Sequence, residues 1–464
     1  MCGILGVYRA RNPDAVRLLA LGAHHLRTRG QEGVGFVTRD DQGHFHEYRA
    51  VGREADIFEN TLFSQLPGRD GIAQNRYSTE GPKEKDNTRD QGPFLSHTSL
   101  GEVAVAHNGN LTNARELRRK LSATGAIFAT QTDTEVIQHL IARAEGSTLV
   151  DRLKRALPQL QGAYAFLFLS RRSEERLIAV QDPYAIRPLT IGHTREGVWY
   201  VASETCALDA LGATGSRRDL RPGEMAIFGK DRVRFEQLPA RERRFCIFEY
   251  IYFSCPDSVL EGDVSVYAAR KRMGQYLAEC YPVEADIVVP VPDSGVPAAL
   301  GYAERSGIPY ELGLIRSHHI GRTFIEPTKE QNDLALLLKH RASAAVLSGK
   351  RVVLVDDSIV KGNTSRKIIQ KVRDAGAKEV HLRISSPPTT HSCFYGIDTP
   401  DRRKLIAAGR SVEEIAKLLG VNSLGYLTLE DVRRAIRGSS EQTKLLDRGY
   451  CDACFTGEYF HEAA

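Results

Sequence analysis

Cys2 becomes the N-terminal residue if Met1 is removed, which places a thiol and a free α-amino group on one residue. That amine has an ordinary pKa of about 7.7–8.0, so near neutral pH it can take and return protons. A nucleophile paired with its own terminal amine is a known activation scheme. Taken alone, a cysteine is by default a small buried apolar residue, so the reading depends on its company. Far along the chain, the string RVVLVDDSIVKGNTSRKII (351–369) reads as an apolar strand ending in Asp356-Asp357, a short loop, and a helix beginning near Thr364. Paired carboxylates at a strand's carboxyl end can hold ribose hydroxyls and a hard cation such as Mg²⁺. The loop Lys361, Gly362, Asn363, Thr364 and Ser365 offers backbone N–H groups and hydroxyls to a phosphate at a helix N-terminus. The Walker order is absent, and an ordinary capped βα loop is the alternative for these few residues alone. Cys451-Asp452-Ala453-Cys454 adds a C-x-x-C near the C-terminus, which suits a redox pair, a metal or chance.

The elements that must position these residues follow from length and pattern. A chain of 464 residues with 42% hydrophobic and 26% charged residues is an ordinary globular protein of two or three domains. The net charge of +5 permits anionic small-molecule substrates, and no dense basic stretch argues for nucleic acid. The N-terminus has no secretion-signal pattern, and the longest apolar run, 163–169, reads as a buried strand far short of the ~20 residues needed to cross a bilayer. A cytoplasmic protein with no membrane partner is expected, and eight cysteines in that setting point to metal or catalysis rather than disulfides. No internal repeat is visible.

In the first half, residues 13–26 place Val16, Leu19, Ala23 and Leu26 on one helical face, and residues 134–144 do the same with Val136, Ile137, Leu140 and Ile141. Strand-like runs at 103–106, 163–169, 177–181 and 198–202 complete a mixed α/β unit. The polar stretch 229–244 is the candidate boundary. The second half has continuous apolar runs at 287–291 and 352–355, each followed by a loop and a helix-like segment, the pattern of a doubly wound parallel sheet whose ligands lie where strands end. In the tail, Ser411 with Glu414 and Thr428 with Asp431 are capping signals.

The strings CGILGVY, RTRGQEGVG (27–35), NRYSTEG (75–81), AHNGNLTNA (106–114) and QTDTEV (131–136) together resemble the N-terminal-nucleophile glutamine amidotransferases, in order and spacing along the whole first half. The resemblance implies that Cys2 attacks glutamine, that Arg76 clamps its α-carboxylate with a bidentate fork, and that Asp133 holds its α-ammonium group. It further implies that Asn108, by its side chain, and Gly109, by its backbone, donate to the oxyanion. Structural alternatives stand beside these roles: a surface ion pair for Arg76, a capping box over Thr132–Glu135, and a hairpin turn at Asn108-Gly109.

Residues 351–369 closely resemble the phosphoribosyltransferase signature, and VVPVPDSGVPAALGYAERSGIPYELGLIRS (288–317) resembles that family's pyrophosphate-side loop and helix. Ser294 stands at the position associated with the metal, beside Asp356 and Asp357. The combination is similar to the amidophosphoribosyltransferases, and the similarity extends through 203–214 and 249–258. It implies an N-terminal αββα sandwich over 2–235 and a type I phosphoribosyltransferase domain with a cluster-binding C-terminal segment over 236–464. It also implies transfer of ammonia from glutamine to phosphoribosyl pyrophosphate at the first committed step of purine synthesis. One Mg²⁺ per subunit, inhibition by purine nucleotides and a homo-oligomer, a tetramer by resemblance, are expected with it.

Cys246, Cys393, Cys451 and Cys454 lie in contexts similar to the iron–sulfur subgroup, which implies one [4Fe–4S] cluster per subunit on four thiolates. Zinc is the competing metal and Cys255 the competing ligand to Cys246. Cys206 and Cys280 read as buried small residues. The chain departs from the family between Ile325 and Gly349, where Asn332 and Leu337 replace two arginines while Lys339 remains where the family has a lysine; Arg322 is also present upstream. His318-His319 replace Arg-Tyr, and Asn363 stands where threonine is usual. These changes keep two alternatives open: a divergent relative with another acceptor, or a weakened nucleotide-sensing protein.

Overall fold

The computed structural model describes residues 1–11, 14–52, 60–77, 88–172, 174–229, 232–317, 340–438 and 449–461. In the first half, two antiparallel sheets stack face to face. The seven-stranded sheet runs through Arg218–Asp219, Thr190–His193, Trp199–Ala202, Gly3–Tyr8, Asp70–Arg76, Gly33–Arg39 and Phe45–Val51. The six-stranded sheet runs through Val233–Gln237, Glu224–Phe228, Leu177–Gln181, Gly162–Ser170, Gly101–Leu111 and Phe94–Thr98. Ile4, Ile72, Ala104, Leu167 and Ala179 fill the space between the sheets. Helices Ala15–His25 and Thr205–Ala210 cover the first sheet's outer face, with Val16, Leu19 and Leu208 packed on Leu5 and Ala73. Helices Ala114–Ala123, Thr134–Arg143 and Leu149–Ala156 cover the second, packing Val136 and Leu153 on Val105 and Phe166. This is the expected αββα sandwich. Strand Gly162–Ser170 is buried at every position because it faces the partner sheet on one side and helices on the other, which is why its sequence is continuously apolar.

The second half holds a parallel sheet ordered Ile287–Pro290, Arg351–Asp356, Glu379–Ile384 and Ser423–Tyr426. Helices Val266–Cys280, Val296–Ser306 and Leu429–Arg437 pack on the face carrying Val288 and Val353. Helices Asn363–Asp374 and Val412–Leu419 pack on the face carrying Val289 and Leu354. The first two helices cross at backbone contact: a Cβ at Gly274 would fall 1.8 Å from the Ala298 carbonyl oxygen, and one at Gly301 1.9 Å from that of Lys271. In the tail, Ser411 and Glu414 form the expected reciprocal capping box, and the Thr428 hydroxyl accepts from the Asp431 N–H.

The polar stretch 229–244 contains strand Val233–Gln237, which pairs with Glu224–Phe228 at the edge of the six-stranded sheet. Cys206 is buried as expected, but Cys280, the last residue of its helix, is exposed. No helix among the described residues is long and apolar enough to cross a membrane.

Asp182 directly follows the strand Leu177–Gln181. It is wholly buried, and its carboxylate accepts from the N–H groups of Tyr184 at 2.8 Å, Ile186 at 3.1 Å and Tyr164 at 3.3 Å. Burial outweighs those donors and pushes its pKa up from 3.8 to about 7. The folded state therefore keeps this proton where the unfolded chain has lost it, so stability falls as pH rises from about 4 to about 7 and levels off above. Urea midpoints should show the native chain losing stability relative to Asp182→Asn between about pH 5 and about pH 7; parallel curves would remove Asp182 from the account.

Candidate active sites

Strand Gly3–Tyr8 lies mid-sheet, antiparallel to Asp70–Arg76, with Gly3 opposite Asn75. Cys2 and Tyr77 therefore emerge at one end, and the Cys2 Sγ lies 3.7 Å from the Tyr77 carbonyl oxygen. Behind Cys2, the Arg29 Nε donates to its carbonyl oxygen at 3.1 Å. Arg29 is 1% exposed and pairs with two buried carboxylates, Glu204 at 2.7 Å and Glu249 at 2.8 Å. Burial works against the Arg29 charge, but Glu249 and Glu204 more than restore it and raise its pKa. Met1 is buried beside this group, its Sδ 3.9 Å from an Arg29 nitrogen, so its removal would free the Cys2 amine next to the network.

The facing sheet supplies Asn108. It is 0% exposed, and neither its amide nitrogen nor its amide oxygen has a hydrogen-bond partner among the described residues. Buried amides are normally satisfied, and one left open in this way has a donor ready for an incoming negative oxygen. Asn108-Gly109 does not form the hairpin turn considered from sequence. Both residues sit inside strand Gly101–Leu111, opposite Ala165 and Tyr164. Gly109 has φ +153°, and a Cβ there would lie 2.0 Å from the Ala163 carbonyl oxygen, so a glycine is required. A second-half loop closes over this strand, with the Asn110 Nδ2 donating to the Phe394 carbonyl at 3.0 Å.

Asp133 and Arg76 lie within electrostatic reach of each other. The Asp133 Oδ2 accepts from the Leu111 N–H at 2.9 Å. Burial opposes its ionisation, but His107, the Leu111 N–H and the Arg76 charge together hold the carboxyl below its usual range. A carboxylate and a guanidinium within electrostatic reach of each other suit the two ends of a free amino acid. The expected capping box is not formed. Asp133 occupies the cap position without a side-chain cap bond, and Glu135 instead accepts from the N–H groups of Ala129 and Thr130 at 2.7 and 2.8 Å. Two residues not singled out from sequence tie the sheets together here. The His107 N–H donates to the Gln74 Oε1 at 3.0 Å, and the His107 Nδ1 lies 3.0 Å from the Thr134 hydroxyl oxygen. Isolated His and Gln in strands carry no sequence signal for such a role.

At the second site, Asp356 is the last residue of its strand, with Asp357 next; they are 9% and 5% exposed. The Asp357 N–H donates to the Asp356 Oδ1 at 2.9 Å, and the Ser358 hydroxyl donates to the Asp357 Oδ2 at 2.5 Å. The loop then reaches Gly362, at φ +78°, and the helix starts at Asn363, so Lys361, Gly362, Asn363, Thr364 and Ser365 surround its N-terminus. The half-buried Ser294 sits on the neighbouring strand's loop, where a Cβ on the adjacent Gly295 would meet the Val355 carbonyl at 2.4 Å. That close approach brings the Ser294 loop against the strand end carrying Asp356. His318, His319, Arg322, Asn332, Leu337 and Lys339 lie outside the described residues.

One π-helical turn, Glu249–Phe253, stands between the sites. Glu249 grips Arg29 on the first-site side. On the other side, the Arg270 guanidinium donates to the carbonyls of Tyr250 at 2.7 Å and Ser254 at 2.8 Å, and the Asp357 carboxylate acts on it electrostatically. Cys246 and Cys451 are direct partners in a two-stranded parallel pair. Cys454 accepts from the Thr390 and His391 N–H groups through its carbonyl, and the Cys393 sulfur accepts from the Tyr395 N–H at 3.3 Å. Burial pushes the Cys246 thiol up to about 11, and Cys451 and Cys454 also rise, chiefly by burial and then by one another and Cys393. Cys255 stands apart from this group, beside Cys206 and Glu204.

The glutamine amidotransferase domain family matches residues 76–210, and the phosphoribosyl transferase domain family matches 257–386. Amidophosphoribosyltransferase 1, chloroplastic, of Arabidopsis thaliana is 46% identical over 459 residues, covering 99% of this chain and 78% of that protein. The amidophosphoribosyltransferase of Bacillus subtilis is 44% identical over 460 residues, covering 99% of this chain and 94% of that protein. The solved structure of the glutamine phosphoribosylpyrophosphate amidotransferase from B. subtilis, complexed with ADP and GMP, superposes with a TM-score of 0.89 at 43% identity, covering 100% of this chain and 98% of that one.

If Asn108 receives the oxyanion, Asn108→Ala should lower glutamine-dependent kcat by about 10²–10³-fold with KM for glutamine little changed. A loss confined to KM would assign Asn108 to ground-state binding instead.

Proposed function

The chain belongs to the amidophosphoribosyltransferase family, and from that premise we propose how its residues divide the reaction. Residues 2–235 release ammonia from glutamine, and residues 236–464 use it to displace pyrophosphate from phosphoribosyl pyrophosphate. The products are glutamate, 5-phosphoribosylamine and pyrophosphate. Supporting this reading, the first-half sandwich carries Cys2 and the buried, unpartnered Asn108 amide, the second-half sheet ends in Asp356–Asp357, and the buried Arg29–Glu249 pair joins the halves.

Cys2, freed of Met1, attacks the glutamine amide carbon while its own α-amine moves the proton to the leaving nitrogen. Arg76 and Asp133 hold the substrate's α-carboxylate and α-ammonium, and the Asn108 amide with the Gly109 N–H stabilises the oxyanion. Ammonia is a nucleophile only while unprotonated, so a passage shielded from water between the sites preserves it. At the second site, Asp356 and Asp357 hold the ribose hydroxyls. Residues 361–365 bind the 5′-phosphate at the helix N-terminus, with Lys339 assigned to the pyrophosphate side.

Two adjacent buried carboxylates fit a hard cation, and Mg²⁺ held by Ser294, Asp356 and Asp357 would neutralise charge on the departing pyrophosphate. Four thiols within electrostatic reach of one another, three of them buried and none in a disulfide, fit a centre whose positive charge would hold them as thiolates against the cost of burial. A [4Fe–4S] cluster on Cys246, Cys393, Cys451 and Cys454 would supply a structural crosslink between the C-terminus and the domain boundary. Purine nucleotides as inhibitors, a homotetramer and a cytoplasmic location extend the same reading; the ADP and GMP bound to the B. subtilis structure support the first.

Cys2→Ala should abolish pyrophosphate release driven by glutamine and retain release driven by ammonia, whereas Asp356→Asn should lose both. Glutamine-driven release surviving in Cys2→Ala would overturn the division of labour. Anaerobically prepared protein should show a broad iron–sulfur absorption that Cys454→Ser removes; zinc without iron would assign the four thiols to the competing metal.

A further inference from the structure

A second set of thiols lies outside both sites. Cys206, on helix Thr205–Ala210, is 3% exposed, while Cys255 is half-buried beside the exposed Pro256 and Asp257. Their sulfurs and a Glu204 carboxylate oxygen all lie within 4.8 Å of one another. Both sulfurs lie 3.8 Å from the same His25 carbonyl oxygen, and the Thr28 hydroxyl is 3.2 Å from the Cys255 Sγ. The two cysteines come from opposite halves of the chain and meet behind the Arg29–Glu204 pair.

A metal ion is the competing occupant, and Glu204 argues against it. Its Oε1 accepts from Arg29 at 2.7 Å, and its Oε2 accepts from the Cys255 N–H at 2.7 Å and the Ser258 hydroxyl at 2.8 Å. Both carboxylate oxygens are already engaged by strong donors, and the nearest full charge is a guanidinium, which repels a cation. The two thiols are left to react with each other.

We propose that Cys206 and Cys255 form a peroxide-sensitive dithiol that closes to a disulfide between the two halves of the chain. The more accessible Cys255 meets the oxidant first. Its sulfur attacks one oxygen of hydrogen peroxide, the O–O bond breaks, and a sulfenic acid and one water form. The Cys206 sulfur then attacks the Cys255 sulfur, the S–O bond breaks, and the hydroxide leaves as a second water with the Cys206 proton. Peroxide is reduced, two thiols are oxidised, and a dithiol reductant reverses the change. Its hydrogen bond to Cys255 and its burial push the Cys206 thiol up, in line with the more accessible Cys255 meeting the oxidant first. The bridge would fasten the segment between Glu249 and Ser258 to the first half.

The test uses the full chain prepared anaerobically, treated with stepwise hydrogen peroxide, alkylated and peptide-mapped without reduction. The expected result is a peptide pair linked through Cys206 and Cys255, removed by dithiothreitol, with complete loss of alkylation at both residues. In Cys255→Ser, Cys206 should stay fully alkylatable at the same dose. Over-oxidation of Cys255 with Cys206 still free would overturn the proposal. So would Cys255 linked only to another cysteine, or zinc retained by the native chain and lost in both Cys206→Ser and Cys255→Ser.

Discussion

The Arg29 guanidinium, closed between Glu204 and Glu249, is the constraint around which both halves are arranged. Arg29 and Glu249 stand 220 positions apart in sequence, and their side chains are wholly buried. Desolvating charges is expensive, and a buried pair with one partner removed leaves an uncompensated charge worth about 3–5 kcal/mol. The ions are satisfied only when the first-half sheet and the π-helical turn are both in place. Glu249 is further held by the Ser254 hydroxyl at 2.7 Å and lies 3.4 Å from Arg187. The network therefore sets where the second half docks, and through the Arg29 Nε it sets where the Cys2 carbonyl sits.

From that junction two routes leave in opposite directions. One passes through the π-helical turn to Arg270, whose guanidinium holds the Tyr250 and Ser254 carbonyls and is acted on electrostatically by the Asp357 carboxylate. The other passes through Arg187, which donates to the Tyr395 carbonyl two residues from Cys393. The same loop covers the Asn108 strand through the Phe394 carbonyl. Nucleophile, acidic pair and thiol group thus share one buried frame. A shift of the π-helical turn would be felt at both reaction centres.

Local rules made much of this legible. Strand 163–169 announced itself by continuous apolar residues, the strand–Asp356-Asp357–loop–helix unit by its order, and the tail helices by their caps. What stayed hidden depends on tertiary contacts. Asn108-Gly109 carries a strong hairpin signal, yet pairing with Ala163–Ala165 draws it into the middle of a strand. Thr132 and Glu135 have capping-box spacing, but the Ala129 and Thr130 N–H groups capture the glutamate first. Arg29, Glu204 and Glu249 lie in strings that resemble the family and Arg270 lies between two of them, but nothing local says that these charges are buried together. Cys280 looks like any helical core cysteine, yet it ends its helix and is exposed.

The central claim is that ammonia freed at Cys2 reaches the Asp356–Asp357 site without entering solvent. Glutamine labelled in its amide nitrogen, supplied with a large excess of unlabelled ammonium, tests it in one measurement. The account predicts that the phosphoribosylamine nitrogen stays predominantly labelled, in step with the glutamate formed. Product label diluted to that of the bulk ammonium, with glutamate still accumulating, would contradict it.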